Sequence, residues 1–377
     1  MTPLVSAIVS SYKSERFMRG LLEDLERQTL ADRLEIVVVD SNSPENEGAI
    51  VREFQERYDN LVYLRTEERE NSHVSFNRAI QMARGKYVTL ANTDDRHRQD
   101  GLEKMAEALE GHPEAALVYA DVALTVQENA TLEQGPIGGY LRWPDFDPRL
   151  LFQMCYLGPQ PMWRRGLHER YGYFDPEFWS AGDYEFWLRL ARRETFLHIP
   201  EVLGLYLYSP NGNELRDKAL SCRESELARE RYWPPEWGKR PIPFALNPFF
   251  VQDLSAQGRA RQVEILRQLG VNSYHQGDRT GAKNAFALAH RMDPKDLGAL
   301  VSLGRILLEE GKFAEAFRYL QIAAEENPED VDSQVGLALA AGKIHDSKTF
   351  RRAFQRARSL NPRHPLVLQM GSWHRLR

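Results

Sequence analysis

The sequence contains very little cysteine. Only Cys155 and Cys222 occur in 377 residues, and they lie far apart. Two isolated thiols cannot build a disulfide framework or a thiolate metal site, which predicts a reducing, cytoplasmic environment. No stretch approaches the ~20 apolar residues that cross a bilayer, and the first ten residues lack the pattern of a secretory signal. We therefore expect a soluble, cytoplasmic protein.

The chain also lacks an excess of positive charge. Its 49 Lys and Arg residues face 54 Asp and Glu residues, which gives a net charge of −5. Without a large positive field, general binding of DNA or RNA is disfavoured. The first predicted strand is not followed by G-x-G-x-x-G, and G-x-x-x-x-G-K-[ST] occurs nowhere. Dinucleotide oxidoreductases and P-loop nucleotidases therefore lose their main support.

The first ~125 residues alternate β-branched runs with amphipathic segments, a pattern typical of α/β units around a mostly parallel sheet. The predicted strands are Leu4–Ser10, Leu34–Val39, Leu61–Leu64, Lys86–Ala91 and Ala116–Ala123. The predicted helices, with apolar residues three and four positions apart, are Glu15–Gln28, Glu45–Tyr58, Val74–Ala83 and Asp100–Leu109. Residues 135–179 have no clear period, so we expect loops there, before a helix at Asp183–Ala191.

The last third of the chain contains a repeat. Five prolines in residues 233–248 predict an extended connector, and beyond it Pro294, Pro328 and Pro362 are 34 residues apart. This period resembles the tetratricopeptide repeat, an all-α array with a concave surface that commonly holds peptides. The residues expected on that surface are Arg267, Tyr274, Val301, Arg305, Val335 and Lys343. The predicted domains are 1–232, a Pro-rich connector at 233–260, and repeats with a capping helix at 261–377.

Acidic residues follow two of the predicted strands. Asp40 comes after the second, and Asn92-Thr93-Asp94-Asp95 come after the fourth. Since parallel strands bind ligands at their carboxyl ends, we expect these carboxylates to share one edge of the sheet. Adjacent acids can hold Mg²⁺ or Mn²⁺ together with a phosphorylated ligand such as a nucleotide diphosphate. Alone, an Asp at a strand end is more often a turn residue or a helix cap.

The first ~230 residues resemble family 2 glycosyltransferases of the GT-A fold. The segments that carry the resemblance are Val5–Tyr12, Ile36–Asp40, Asn77–Ile80, Ala83–Tyr87, Asn92–Asp95, Tyr173–Asp175 and Ala181–Leu190. The resemblance implies metal-dependent, inverting transfer of a sugar from a nucleotide diphosphate-sugar to an acceptor hydroxyl. The sequence departs from the family pattern at Phe76, Asn92 and Gly182, and Gly182 stands where a Glu is usual. Because of these departures, the identity of the nucleotide stays open.

The resemblance also implies roles for particular residues. Asp183, at the start of a helix, would be the catalytic base, and Asp94 and Asp95 would hold Mn²⁺ or Mg²⁺. The implied donor-binding residues are Ser10, Ser11, Tyr12, Glu15, Asp40, Asn77 and Asp94. His73, His97 and His198 form no metal-ligand set, and we expect them to be hydrogen-bonding residues at the surface or at a pocket edge.

Three further features bear on the acceptor. Aromatic residues that offer a sugar-stacking face are Trp143, Phe146, Trp163, Tyr171, Tyr173, Phe178 and Trp179, about half of which we expect in packing roles. The tail from Ser347 to Arg377 has eight basic residues and no acidic one, which predicts either a solvated helix face or contact with an anionic inner membrane leaflet. A protein partner on the repeats is a third expectation.

We weigh several functions. The favoured one is synthesis of a cell-surface glycan or glycolipid from the cytoplasmic side, with a glycan or lipid-linked acceptor. The alternatives are a protein or peptide glycosyltransferase whose repeats recruit the acceptor, and a non-catalytic repeat scaffold. A nucleotidyltransferase is disfavoured, because the Gly-rich, basic loop that should follow the first strand is missing.

Overall fold

The computed structural model describes residues 2–152, 154–209, 217–237, 256–275, 277 and 279–373. The chain divides into two compact units, Met1–Leu254 and Ser255–Arg377. Much of the predicted connector at 233–260, including Pro241, Pro243 and Pro248, lies outside the described residues. The connector and the predicted domain limits therefore stay predictions.

The first unit begins with a parallel sheet and its crossover helices. The strands are β1 (Val5–Ser11), β2 (Leu34–Asp40), β3 (Leu61–Arg65) and β4 (Tyr87–Leu90). The helices are α1 (Glu15–Glu26), α2 (Glu47–Gln55), α3 (Ser72–Met82) and α4 (Gly101–Gly111). β1 pairs in parallel with β2 and β4, and β2 pairs in parallel with β3. The side of the sheet where these four strands end is called the carboxyl edge below.

The remainder of the sheet is mixed. Its strands are β5 (Arg96–His97), β6 (Ala115–Thr125), β7 (Gly139–Leu141), β8 (Met162–Arg164) and β9 (Thr195–Leu207). The order is β3-β2-β1-β4-β8-β6-β9-β5, with β7 paired to β6. β8 lies antiparallel between β4 and β6. The prediction of loops throughout 135–179 is therefore wrong at β7 and β8, because a three-residue strand is too short to show a period.

Further helices complete the described part of the first unit. They are α5 (Pro148–Leu151), α6 (Leu167–Tyr171), α7 (Gly182–Ala191) and α8 (Lys218–Tyr232). The core lies between the sheet and helices such as α1, which buries Phe17, Met18 and three leucines. β2 is buried at all seven positions, as is typical of a strand covered on both faces. Its one internal charge, Glu35, is paired with Arg84 at 2.6 Å.

The second unit consists of paired helices. They are α9 (Ala256–His275), α10 (Arg279–Met292), α11 (Leu297–Glu309), α12 (Phe313–Glu326), α13 (Val331–Lys343), α14 (Ser347–Leu360) and α15 (Pro365–Trp373). Within two repeats the turn glycines, Gly277 and Gly311, have φ of +83° and +77°. The third repeat places His345 at the same position with φ of +63°, a left-handed conformation that is unfavourable for any residue with a Cβ. The repeat therefore keeps its turn geometry where it has lost its glycine.

Two expectations about the repeat surfaces can be compared with the second unit. Val335, expected on the concave surface, is instead buried at 3% exposure among the helices, since it packs in the core of α12 to α15. On α14, Lys348, Arg351, Arg352 and Arg358 are exposed. Contact of this face with an anionic membrane stays a prediction. None of the helices in the described ranges is long and apolar enough to cross a bilayer.

Candidate active site

Asp40 ends β2 at the carboxyl edge and is fully buried. Its Oδ1 accepts the Ser43 N–H at 2.7 Å, and its Oδ2 accepts the Tyr63 hydroxyl and Arg65 Nη1, both at 2.6 Å. Burial and the Asp40 carboxylate raise the pKa of Tyr63 to about 12, so the phenol stays a donor. Asp40 thus fixes the loop after β2, and its predicted contact with the nucleotide stays a prediction.

The loops after β1 and β2 are tied together through Glu47 on α2. Its Oε1 accepts the Ser14 N–H and the Ser43 hydroxyl, each at 2.8 Å. Ser11 Oγ lies 2.9 Å from Ser14 Oγ, and the Lys13 N–H donates to Ser43 Oγ at 3.0 Å. A buried network of this kind holds both loops in one conformation at the carboxyl edge.

The other predicted donor-binding residues of this loop are more accessible. Ser10 and Tyr12 are half-buried, and Glu15 is exposed. The Arg69 guanidinium lies 4.3 Å from the centre of the Tyr12 ring, and Glu15 accepts the Asn46 N–H at 2.9 Å. The structure therefore brings Ser10, Tyr12 and Glu15 to the same loop cluster as Asp40.

The two acids after β4 have different surroundings. Asp95 is buried, and its carboxylate accepts Asn92 Nδ2 at 3.0 Å and the N–H of Leu207, at the end of β9, at 3.3 Å. Asp94 is half-buried, and within the described part of the chain no other residue donates a hydrogen bond to its carboxylate. Asp95 is therefore positioned by its neighbours, whereas Asp94 keeps free coordination sites.

Asp94 and Asp95 are close enough to interact electrostatically. Burial raises the pKa of Asp94, and burial together with Asp94 raises the pKa of Asp95 well above its usual value. The buried Arg96 guanidinium donates to the carbonyl oxygens of Thr93 and Asp95, at 2.9 and 2.6 Å, rather than to either carboxylate. In the described ranges no three His, Cys, Asp or Glu side chains converge as a metal cluster. The residues fit an Mg²⁺-like ion that takes few protein ligands and completes its shell with phosphate and water.

Asp183 is the second residue of α7 and lies at the carboxyl edge, because its backbone is bonded to the first turn of α3. The Asp183 N–H donates to His73 Nε2 at 3.1 Å, so His73 Nδ1 carries the proton and donates to the Phe178 carbonyl oxygen at 3.1 Å. Asp183 Oδ1 accepts the Tyr184 N–H at 2.8 Å. Its Oδ2 has no hydrogen-bond partner among the described residues. Burial raises the pKa of Asp183, and the negative charge of Glu224 acts in the same direction.

Residues 174–183, called the clamped segment below, are held on one side by α3. Two side chains of this helix and that of its N-cap residue, Asn71, bind backbone groups of the segment at 2.8 to 3.1 Å. The contacts are Asn77 to both the N–H and the carbonyl oxygen of Phe174, Asn71 to the carbonyl oxygen of Pro176, and His73 to that of Phe178. Asn77, predicted to bind the donor, therefore has a structural role here that the resemblance did not imply.

The other side of the clamped segment is held by α8. The buried Glu224 carboxylate accepts three consecutive backbone N–H groups, those of Trp179, Ser180 and Ala181, at 2.8 to 3.1 Å. Arg231 adds an ion pair to Asp175 at 2.6 Å. Charge-assisted bonds of this type are about twice as strong as neutral ones, so Glu224 fixes the backbone just before Asp183.

Family models match both parts of the chain. Residues 6–149 match the model described as glycosyl transferase family 2. Residues 6–149 of the N-terminal unit belong to a family 2 glycosyltransferase domain. The mixed sheet with its crossover helices is of the predicted α/β class, and residues 273–342 match the tetratricopeptide repeat model. The predicted family, fold class and enzyme class are confirmed.

Three known proteins illustrate the similarity. An uncharacterized glycosyltransferase, MJ1057 of Methanocaldococcus jannaschii, is 23% identical over 249 residues, which are 66% of this chain and 84% of the relative. The putative teichuronic acid biosynthesis glycosyltransferase TuaG of Bacillus subtilis is 25% identical over 132 residues, 35% of this chain and 52% of TuaG. The crystal structure of S. aureus TarS 1-349 is similar with a TM-score of 0.48 and 18% identity, covering 94% of this chain and 91% of that one.

Two residues of the glycosyltransferase domain gain importance that the sequence did not reveal. His73 was expected at the surface or a pocket edge, but it is 4% exposed and binds the Asp183 backbone. Glu224 lies outside the segments that carry the family resemblance. The unusual Gly182 is explained by the same contact, because a Cβ there would lie 2.8 Å from three atoms of the His73 imidazole.

We expect Gly182→Ala to destabilise the domain by ~1–3 kcal/mol, since the added methyl must displace the packed His73 ring. In a His73→Ala background the same change has room, so its cost should fall by at least ~1 kcal/mol. Urea unfolding of the two single variants and the double variant measures this coupling. Gly111→Ala, which meets no atom within 4 Å, is the control, and strictly additive free energies for Gly182 and His73 would contradict the packing explanation.

Proposed function

We propose that the glycosyltransferase domain catalyses an inverting transfer from a nucleotide diphosphate-sugar to an acceptor hydroxyl, with Asp183 as general base. The observation that carries the proposal is the position of Asp183 at the carboxyl edge, in a backbone held by α3 and α8, with an Oδ2 to which none of the described residues donates a hydrogen bond. The acceptor oxygen bonds to the anomeric carbon, the bond from that carbon to the diphosphate breaks, and the acceptor proton passes to Asp183 Oδ2. Attack opposite the leaving group inverts the anomeric centre.

The surroundings of Asp183 suit a base. Burial raises the pKa of Asp183, which makes its carboxylate a better proton acceptor than an exposed aspartate. The hydrogen bond from the Tyr184 N–H to Oδ1 restricts the orientation of the Asp183 side chain. General-base catalysis of this kind typically contributes ~10²–10⁴ in rate.

The loops at the ends of β1, β2 and β4 would bind the donor. Asp94 would ligate Mn²⁺ or Mg²⁺ directly, and Asp95, held by Asn92, would support it or add a second ligand. When bound, the cation neutralises the charge that grows on the departing diphosphate. Ser10, Ser11, Tyr12 and Glu15 belong to the loop cluster beside Asp40, which supports their proposed contact with the nucleotide.

A cell-surface glycan or glycolipid intermediate on the cytoplasmic side is the acceptor that we propose. The name of TuaG, which refers to teichuronic acid biosynthesis, supports a saccharide acceptor. The described residues give no specific observation in favour of a protein acceptor on the repeats, and that alternative stays a prediction.

Calorimetric titration with UDP, GDP and dTDP tests the donor side. We expect one of them to bind at least ~10-fold more tightly in Mn²⁺ than in EDTA, because a cation held by Asp94 would neutralise the charge of the diphosphate. Asp94→Asn should lose most of this gain. Asp59→Asn is the matched control. Asp59 is exposed and precedes β3, so it lies at the opposite edge of the sheet. If no nucleotide binds the wild type, the proposed function fails.

A further inference from the structure

Trp179 is an unusually exposed aromatic residue. Its exposed fraction is 54%, whereas Trp143, Trp163 and Trp187 are at most 5% exposed. An indole carries a large apolar surface, and leaving it in water forgoes the stabilisation that burial would give. An exposed Trp therefore calls for an explanation when its surroundings are well ordered.

The structure separates the seven aromatic residues that were predicted to include a sugar-stacking face. Trp143, Trp163 and Phe178 are buried, and Phe146 and Tyr171 are half-buried. Tyr173 is 38% exposed, but its ring stacks on His168 at 5.2 Å. The Trp179 ring contacts no other ring among the described residues. Of the seven aromatic residues, Trp179 therefore combines high exposure with a ring face that no described ring covers.

The backbone of Trp179 is rigid although its ring is exposed. Its N–H lies 3.0 and 3.1 Å from the two carboxylate oxygens of the buried Glu224. The preceding residue, Phe178, is bonded to His73, and the following amides of Ser180 and Ala181 also bind Glu224. A rigid aromatic side chain makes a binding surface at a low cost in conformational entropy.

Trp179 is also close to the proposed base. Asp183 is four positions further along the chain, so the two Cα atoms lie within about 14 Å even for an extended chain. A base has to face the acceptor hydroxyl, and the rest of the acceptor must lie over neighbouring surface. The clamped segment is such a surface, since it presents Trp179 and Asp183 from one continuous, immobilised stretch of backbone.

We propose that the Trp179 indole binds a pyranose ring of a saccharide acceptor by stacking against its apolar C–H face. The proposal rests on the proposed function, because it places the acceptor beside Asp183. A lipid tail would need a contiguous apolar patch, but the neighbours of Trp179 along the chain include the exposed Glu177 and the polar Ser180. One open aromatic ring among polar groups suits a sugar, which has both C–H faces and hydroxyls.

Binding is tested without activity by labelling the seven tryptophans with ¹⁵N and recording their indole N–H signals. The signal that disappears in Trp179→Phe is that of Trp179. We expect this signal to shift when methyl β-glucoside, methyl α-mannoside or methyl β-N-acetylglucosaminide is added to the wild-type protein, while the others stay in place. The same titration with hexanol tests binding of a lipid tail, and that with a tetra-alanine peptide tests binding of a peptide. A Trp179 signal that no methyl glycoside moves, or that moves only with the alcohol or the peptide, overturns the proposal.

Kinetics give a second test. Trp179→Ala should reduce kcat/KM for a saccharide acceptor about three- to tenfold, the worth of one aromatic contact, and should leave nucleotide affinity unchanged. Tyr58→Ala, at an exposed aromatic residue after α2, is the control and should transfer like the wild type. Unchanged acceptor kinetics in Trp179→Ala would overturn the proposal for Trp179 alone. Absence of nucleotide binding in the wild type would instead overturn the proposed function.

Discussion

Asp183→Asn should lower sugar transfer by about 10²–10⁴-fold, because asparagine cannot accept the acceptor proton. Nucleotide affinity should stay within about twofold of the wild-type value, since none of the donor-side loops at the ends of β1, β2 and β4 bonds to this side chain. Asn keeps an oxygen for the Tyr184 N–H. Initial rates with saturating donor and calorimetry with the nucleotide measure the two effects separately.

The same substitution should not destabilise the domain. A carboxyl group whose pKa is raised by folding binds its proton more tightly in the folded state, so its contribution to stability falls as the pH rises from the unfolded pKa through the folded one. At any pH above its folded-state pKa, the ionised Asp183 is thus unfavourable for folding, and Asn removes that cost. Thermal unfolding at pH 7 is expected to give an equal or higher Tm.

Glu177→Gln is the matched control for Asp183→Asn. Glu177 is exposed, lies in the same clamped segment, and loses the same charge by the same kind of substitution. Its transfer rate should remain within a few fold of the wild type. The assignment of Asp183 as base would be refuted if Asp183→Asn retained wild-type transfer, or if it lost nucleotide affinity together with activity.

Sequence patterns predicted the part of the site that depends on single strands and helices. Asp40 and the Asn92–Asp95 group follow β-branched runs, and parallel strands must bring their ends to one edge. Asp183 could be placed only through the family resemblance, because an Asp at the start of α7 has the same local pattern as an ordinary helix cap. Local periodicity thus located the carboxyl edge, whereas the resemblance supplied the base.

The contacts that hold Asp183 could not be predicted in this way. His73 and Asp183 are 110 residues apart in the sequence, and Glu224 and Ala181 are 43 residues apart. Glu224 lies on α8, a helix without a strongly apolar face. The local hydrophobic pattern of the sequence indicates neither pairing, since each depends on how α3 and α8 pack against the clamped segment. The departure from the family pattern at Gly182 can be read from the sequence, but its cause, the packing of the His73 ring against Gly182, depends on the tertiary structure.

Loss of Glu224 should have the second largest effect on the enzyme. Glu224→Ala leaves three consecutive backbone N–H groups without their charged acceptor, and this is expected to destabilise the domain by ~3 kcal/mol or more. The freed backbone lies directly before Asp183, and a misplacement of ~1 Å at a catalytic group can cost ~10²-fold in rate. Urea unfolding and kcat at saturating donor and acceptor measure the two consequences.

Glu224→Gln separates a positioning role from general stability. Glu224 on α8 faces Asp183, and its negative charge helps to raise the pKa of Asp183. Removing that charge makes ionisation of Asp183 easier, so the acid limb of the kcat–pH profile should move to lower pH. Glu224→Asp, which keeps the charge on a shorter side chain, should leave the limb in place and recover part of kcat. If Glu224→Gln merely lowers stability and the acid limb does not move, Glu224 supports the fold but does not set the state of the base.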